Sequence, residues 1–178
     1  MGNKRGQYFL IAAIVIIVVV VSIITVSNYT QRKDVTRLYD LGQELGIESQ
    51  NVIDYGTYNS QSPSEMNTMM LNFISNYRSY IGTDKNVYFA FGNKNNISVI
   101  GYQQAAESES VCIKIDSGDC VPYVGGEKIQ EFTGAGMSKA AIVIGDVQYE
   151  FKLREGENFY FVIWQRNGGE KNVVTNSV

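Results

Sequence analysis

The sequence contains no histidine, and only two cysteines and two prolines occur among its 178 residues. Histidine is the side chain most often used for acid–base catalysis near neutral pH, so its absence excludes Ser–His and Cys–His nucleophile pairs. It also excludes zinc sites that need imidazole, and two cysteines cannot form a four-thiolate site. We therefore predict that the chain is not an enzyme and that it holds no metal and no cofactor.

Charge is absent from one long stretch. No Lys, Arg, Asp or Glu occurs from Gly6 to Gln31, although these residues make up 19% of the sequence. Within this stretch, Tyr8–Val26 contains 19 residues, of which 14 are Phe, Leu, Ile or Val. As a helix it would be roughly 28 Å long, close to the ~30 Å hydrocarbon core of a bilayer. We predict a membrane-spanning helix with an exported C-terminal domain; a buried helix and a cleaved secretory signal are the alternatives.

The residues before the apolar stretch carry a resemblance. Lys4-Arg5-Gly6-Gln7, followed at once by continuous hydrophobic residues, resembles the leader of archaeal type IV pilin-like proteins, the pilins and archaellins. The resemblance covers about residues 1–30. It implies that a prepilin peptidase recognises Lys4 and Arg5 and cleaves between Gly6 and Gln7. It also implies that the retained helix later packs with identical helices in the core of a filament.

The function implied by this resemblance is that of a structural subunit of an extracellular type IV pilus-like filament, used in adhesion or motility. Its partners would be copies of itself in a helical homopolymer, the prepilin peptidase and assembly machinery, and the cell membrane before assembly. Bacterial pilins have glutamate at the fifth mature position, where this chain has Ile11, which favours an archaeal-like member. The alternative is an unprocessed, single-pass, membrane-anchored surface module that binds a ligand.

Nucleic acid is not an expected partner. Lys and Arg number 15 and Asp and Glu 18, so removal of Lys4 and Arg5 with the leader leaves 13 basic and 18 acidic residues, a net charge of −5. The sequence also has no basic stripe. A phosphate backbone is bound through such clustered positive charge, which this chain lacks.

Helical spacing continues after the apolar stretch to about Tyr58. An apolar stripe at three- and four-residue steps is expected to pack on the chain's own sheet rather than on a coiled-coil partner. Its members are Val35, Leu38, Leu41 and Leu45, resumed by Val52 and Tyr55. A turn-rich break follows, and Ser62 or Ser64 is predicted to cap a second helix with Pro63 near its first turn.

From about residue 85 the hydrophobic period changes to two, which predicts strands separated by turns rich in Gly, Asn and Asp. Consecutive aromatic residues such as Tyr88 and Phe89 are expected on opposite faces of a strand. The strands are predicted at 86–91, 97–102, 111–115, 120–124, 140–144, 147–153, 158–165 and 172–175.

Together these patterns predict an α+β fold, in which a long N-terminal hydrophobic helix extends into a C-terminal antiparallel β-sheet or β-sandwich domain, as in pilins. Residues 1–6 would be the leader peptide. Residues 7–58 would be the N-terminal helix, with 7–28 in the membrane or filament core and 29–58 against the domain. Residues 59–178 would be the exported domain, a short helix followed by antiparallel strands.

Two kinds of covalent modification are predicted from the sequence. An even cysteine count indicates a disulfide between Cys112 and Cys120, with two free thiols as the alternative. A symmetric hairpin would place Cys112 opposite Tyr123, so the bridge requires an irregular loop or a bulge. Asn28 and Asn96 each begin an Asn-x-Ser/Thr sequon and are candidate glycosylation sites.

Overall fold

A computed structural model describes residues 4–104, 109–123, 126–167 and 169–176, and within these it leaves the side chains of 4–11, 28, 30–34, 126 and 167 undescribed. The chain divides into two compact units. The first ends at Arg37 and the second begins at Leu38.

Helix α1 (Lys4–Tyr58) changes character along its length. Its described side chains in the stretch 12–27 are exposed and mostly apolar, whereas in 35–58 buried Leu38, Leu41 and Leu45 alternate with exposed polar and charged residues. In the described parts of the chain, no helix combines the length and the apolar character needed to span a membrane.

The predicted fold class is therefore wrong, because it required one long hydrophobic helix. Apolar character in the described residues is limited to the short stretch 12–27, and the helical residues from Val35 onward are amphipathic. The charges that separate the buried leucines, among them Asp40 and Glu44, explain the difference, since a helix packed on a sheet buries only one face. The fold is a mixed arrangement of α-helices and antiparallel strands.

Helix α2 (Pro63–Ile81) begins as the sequence predicts. The Ser62 side chain accepts a hydrogen bond from the Glu65 backbone N–H at 3.4 Å, and the Glu65 carboxylate accepts one from the Ser62 N–H at 2.8 Å. This reciprocal capping box satisfies two backbone donors, and Pro63 occupies the first turn, where no donor is lost. The Tyr77 hydroxyl donates to the Leu41 carbonyl at 2.8 Å and so ties α2 to the second part of α1.

In the residues that the structure describes, nine strands form two antiparallel sheets. The five-stranded sheet has the order β5-β2-β1-β8-β9, and the four-stranded sheet has the order β4-β3-β6-β7. The strands are β1 (Asn86–Asn93), β2 (Asn96–Gln103), β3 (Val111–Ile115), β4 (Val121–Tyr123), β5 (Gly126–Thr133), β6 (Lys139–Ile144), β7 (Val147–Lys152), β8 (Asn158–Asn167) and β9 (Glu170–Thr175). Strand β5 was not predicted from the sequence, because its described side chains are exposed or half-buried and show no apolar alternation.

The second unit has two hydrophobic cores, one on each face of the five-stranded sheet. Tyr88 and Trp164 belong to the core between the two sheets, whereas Val87 and Phe89 belong to the core beneath the helices. Tyr88 and Phe89 thus lie on opposite faces of β1, as the alternation predicted. Leu38 and Leu45 of α1 pack in the helix-side core. The unit therefore consists of a helical layer, a sheet and a second sheet.

Candidate functional site

The apolar stretch of α1 is exposed throughout its described length, 12–27. Its large side chains between Ile14 and Val26 have 48% to 65% of their surface accessible. Its two internal polar residues bond to their own helix, since Ser22 Oγ donates to the Val18 carbonyl at 2.7 Å and Thr25 Oγ1 donates to the Val21 carbonyl at 2.8 Å. Contiguous exposed apolar surfaces are typical of sites that contact a protein or a membrane.

The predicted processing residues lie at the start of the same helix. Lys4, Arg5, Gly6 and Gln7 are in the first turns of α1, which begins at Lys4 rather than at the expected Gln7. Their side chains are outside the described residues, as are residues 1–3 of the leader. Recognition and cleavage by a prepilin peptidase therefore stay predictions.

A groove lies between α1 and strand β9 in the second unit. Its volume is about 1020 Å³, and all twelve of its lining residues are uncharged. Tyr39, Gly46 and Ile47 line the helical side, and Val173 and Val174 line the strand side. Ile47 and Tyr39 are 63% and 55% exposed, so this wall of the groove is open to solvent. The groove is therefore an open, uncharged concavity on the second unit.

Two glycines shape the helical wall. A Cβ at Gly42 would collide with Val174 Cγ1, so this glycine lets α1 approach β9 closely. A Cβ at Gly46 would have nothing within 4 Å, so the space above Gly46 is the groove itself. The Gly-x-x-x-Gly spacing of Gly42 and Gly46 was the sequence signal for this wall, and the wall was not predicted from it.

Asn176 holds the end of β9 beside the groove. Its side-chain Oδ1 accepts a hydrogen bond from the Phe161 N–H at 2.9 Å, and its Nδ2 donates to the Phe159 carbonyl at 2.9 Å. The side-chain amide thereby continues the pairing of β9 with β8 past the last strand residue, Thr175. The strand-side wall of the groove is thus fixed to the sheet.

The predicted disulfide is confirmed. Cys112 and Cys120 are bonded, with their Cα atoms 5.5 Å apart. Cys112 pairs with Pro122 across the β3–β4 ladder, and Val111 is opposite Tyr123, one position away from the symmetric hairpin. Cys120 lies before β4 in the connecting loop, which supplies the irregularity that the bridge requires. The two cysteines are not free thiols.

The two sequons differ in what the structure describes. Asn96 is exposed at the start of β2, where the hairpin with β1 turns through Lys94 and Asn95. The Asn93 Oδ1 accepts from the N–H groups of Asn95 and Asn96 at 3.0 and 3.2 Å, which orders this turn. The side chain of Asn28 lies outside the described residues.

Several charged side chains of the second unit form ion pairs. Glu109 accepts from Lys171 Nζ at 3.0 Å and from Arg166 at 3.5 Å, and Lys171 Nζ lies 4.9 Å from the centre of the Trp164 ring. Within the described residues, no group of three or more Cys, Asp or Glu side chains is placed to hold a metal ion. These contacts join the edge strand β9 to the core.

Comparison of the chain with protein-family models, curated proteins and solved structures gave no match.

Proposed function

We propose that this chain is a structural subunit of an extracellular type IV pilus-like filament, serving adhesion or motility. In this proposal a prepilin peptidase removes residues 1–6, and the mature subunits polymerise through their N-terminal apolar segments. The observation that carries the proposal is the exposed apolar stretch 12–27 of α1. An uncovered surface of this composition is stable in water only when another apolar surface packs on it.

The second unit does not need this stretch for its own folding. Its two cores are built from residues at or after Leu38, and fifteen and fourteen buried residues form them. A domain with complete cores needs no further apolar segment to fold. The stretch 12–27 is therefore available for contacts with other molecules, which supports the role of an assembly segment.

The proposal places the subunit at the cell membrane before assembly and on the cell surface afterwards. A disulfide between Cys112 and Cys120 supports an exported domain, since such bonds persist mainly in oxidising compartments. The exposed Asn96 sequon at a hairpin turn is compatible with glycosylation in the same setting.

The first test is the N-terminal residue of the native protein, determined by mass spectrometry of the membrane and surface fractions. A chain beginning at Gln7 supports the proposal, and electron microscopy of the same fraction should then show filaments. A Gly6→Val variant should retain the leader, whereas Gly2→Val changes a glycine inside the leader and should be processed normally. A native chain that begins at Met1 or Gly2 would overturn processing and favour the membrane-anchored binding module.

A further inference from the structure

We infer that Asn96 is glycosylated before the second unit folds, because the folded chain exposes the acceptor side chain but hides the rest of its sequon. The sequon is Asn96-Ile97-Ser98, the first three residues of β2. Its modification rests on the proposed function, since oligosaccharides are transferred to exported chains on the outer side of a membrane. The glycan is therefore attached during export and is then carried by the folded subunit.

The transfer reaction uses two side chains of the sequon at once. Asn96 Nδ2 forms a bond to the anomeric carbon of a lipid-phosphate-linked oligosaccharide. The bond from that carbon to the phosphate oxygen breaks, the lipid phosphate leaves, and Nδ2 releases one proton to solvent. The hydroxyl at the third position is part of the sequon, so the transferase must also reach Ser98. Residues two apart in a strand point to the same face, so Asn96 and Ser98 lie on the same side of β2.

Helix α2 covers the second of these side chains. Asn96 is exposed, whereas Ser98 is only 3% exposed and its hydroxyl donates to Asn67 Oδ1 of α2 at 3.5 Å. The cleft that Asn96 and Ser98 line together with Pro63 has a volume of about 40 Å³. A cleft of this size holds no more than a few water molecules. A transferase therefore cannot place its own groups against the Ser98 hydroxyl while α2 is in position.

The backbone of the sequon is occupied as well. Strand β2 lies between β1 and β5, and Ser98 is paired with Phe91 on one side and with Glu131 on the other. Ile97 is fully buried in the core between the two sheets. A strand that is paired on both sides and buried on both faces is released only by openings close to global unfolding. The folded chain therefore does not present the sequon as a free segment that an enzyme can bind.

The fold tolerates the glycan although it cannot accept it. Asn96 is exposed next to the turn that joins β1 to β2, so a sugar on its side chain extends into solvent without disturbing either core. Attachment is consequently possible only early, and the product is stable afterwards. The occupied fraction of Asn96 is set by competition between transfer and folding.

Transfer to the full-length chain before and after folding tests this order. A single-subunit oligosaccharyltransferase and a lipid-linked oligosaccharide are added to the purified folded chain in one arm. In the other arm, the chain is translated in a cell-free system into membranes that contain the same enzyme and lipid. Asn28→Gln removes the other sequon from every chain, and peptide mass mapping measures the occupancy of Asn96. Occupancy should be lower in the folded arm by roughly tenfold or more, and Ser98→Ala should abolish it in both arms.

An exposed sequon in the same chain is the matched control. Ser117→Asn combined with Asp119→Thr creates an Asn-Gly-Thr sequon in the turn between β3 and β4, where all three residues are exposed. This turn sequon should be modified in both arms. Phe89→Asp places a charge at a fully buried position and should unfold the second unit. In the purified Phe89→Asp chain, Asn96 should then be modified as readily as the turn sequon.

The outcomes separate this inference from the proposed function. Equal occupancy of Asn96 and of the turn sequon in the purified folded chain would overturn the inferred order. Modification of the turn sequon but not of Asn96 during translation would overturn it too, because Asn96 would then not be an acceptor. A second unit that stays accessible to protease added outside the sealed membranes would instead overturn the export that the proposed function requires, and the comparison on the purified chain would still decide the order.

Discussion

The hydroxyl of Tyr123 is the hydrogen-bond partner of the Gly101 backbone, in a position where a β-ladder would supply a backbone group. It accepts a hydrogen bond from the Gly101 N–H at 3.0 Å and lies 2.6 Å from the Gly101 carbonyl oxygen. Gly101 is paired with Lys128 across β2 and β5, and the same hydroxyl accepts from the Lys128 N–H at 2.8 Å. A side chain from the edge of the four-stranded sheet is thus inserted into the ladder of the five-stranded sheet. A Cβ at Gly101 would lie 2.7 Å from the Tyr123 ring, so only glycine fits there.

Tyr123→Phe should lower the free energy of unfolding by about 1–3 kcal/mol, because buried backbone groups of Gly101 lose their hydrogen-bond partner. Urea denaturation of the isolated full-length chain would measure this loss. The control is Tyr58→Phe, which removes a hydroxyl from a residue that is 89% exposed. An equal, negligible effect of both substitutions would show that the Tyr123 hydroxyl does not support the ladder.

Alkaline pH should destabilise the second unit through its buried tyrosines. Burial, followed by the charge of Glu127, raises the pKa of Tyr102 to about 12, and burial also raises the pKa values of Tyr77 and Tyr88. A tyrosine in the unfolded chain ionises near pH 10. Because the pKa values of these tyrosines are higher in the folded state, folding favours the neutral phenol. Stability that is complete below about pH 10 is therefore lost as the pH rises toward about 12.

Unfolding measured at pH 9, 10, 11 and 12 would test this dependence. Above pH 10, Tyr102→Phe should make the free energy of unfolding fall less steeply with pH. The dependence should not disappear, since Tyr77 and Tyr88 still contribute. Tyr58→Phe serves again as the exposed control. If Tyr102→Phe leaves the slope unchanged, ionisation of Tyr102 is not linked to unfolding.

Local patterns predicted the features that depend on neighbouring residues. Ser62 and Pro63 identified the start of α2, and the Asn-rich turn identified the β1–β2 hairpin, because capping and turn chemistry act over a few positions. Strand β5 was missed because it lies at the edge of its sheet and its pattern shows no buried face.

The candidate groove could not be predicted from sequence for a different reason. It depends on the approach of Gly42 to Val174, which are separated by most of the second unit, and no local pattern encodes that distance. The apolar stretch 12–27, in contrast, was evident from composition alone. The predicted fold class was wrong because it required one long hydrophobic helix, whereas the described apolar stretch ends at residue 27; the amphipathic character of the helix from Val35 onward was predicted from its apolar stripe.

The two glycines of α1 should respond in opposite ways to alanine. Gly42→Ala should destabilise the second unit by about 1–3 kcal/mol, because the added methyl group meets Val174 in a packed contact. Gly46→Ala should be neutral or stabilising by up to about 1 kcal/mol, since its methyl group enters open space and alanine favours helix. Chemical denaturation of both variants gives the comparison. Adding Val174→Ala to Gly42→Ala should recover part of the loss if the collision is its cause, and no recovery would assign the loss to the helix itself.

Acid should weaken the junction between β3 and β6 through Asp116. Its Oδ1 accepts hydrogen bonds from the Ser138 hydroxyl and N–H and from the Lys139 N–H, at 2.5, 2.9 and 3.0 Å. The Ser138 hydroxyl is the largest cause of the lowered pKa of this carboxyl, and the Ser138 N–H is the next. A lowered folded pKa means that the stabilisation is complete above the unfolded value near 3.9 and is lost as the pH falls through the folded pKa.

Asp116→Asn keeps the size of the side chain and one acceptor oxygen but removes the titration. Its unfolding free energy should therefore fall less steeply than that of the wild type between pH 5 and pH 2, in the direction set by the lowered pKa. Asp119→Asn, in the same loop, is the matched control for the removal of one carboxylate. If the unfolding free energies of the wild type and of Asp116→Asn change in parallel with pH, the hydrogen bonds from Ser138 do not stabilise the Asp116 carboxylate in the folded state. The short contacts between these two residues lead us to expect the opposite.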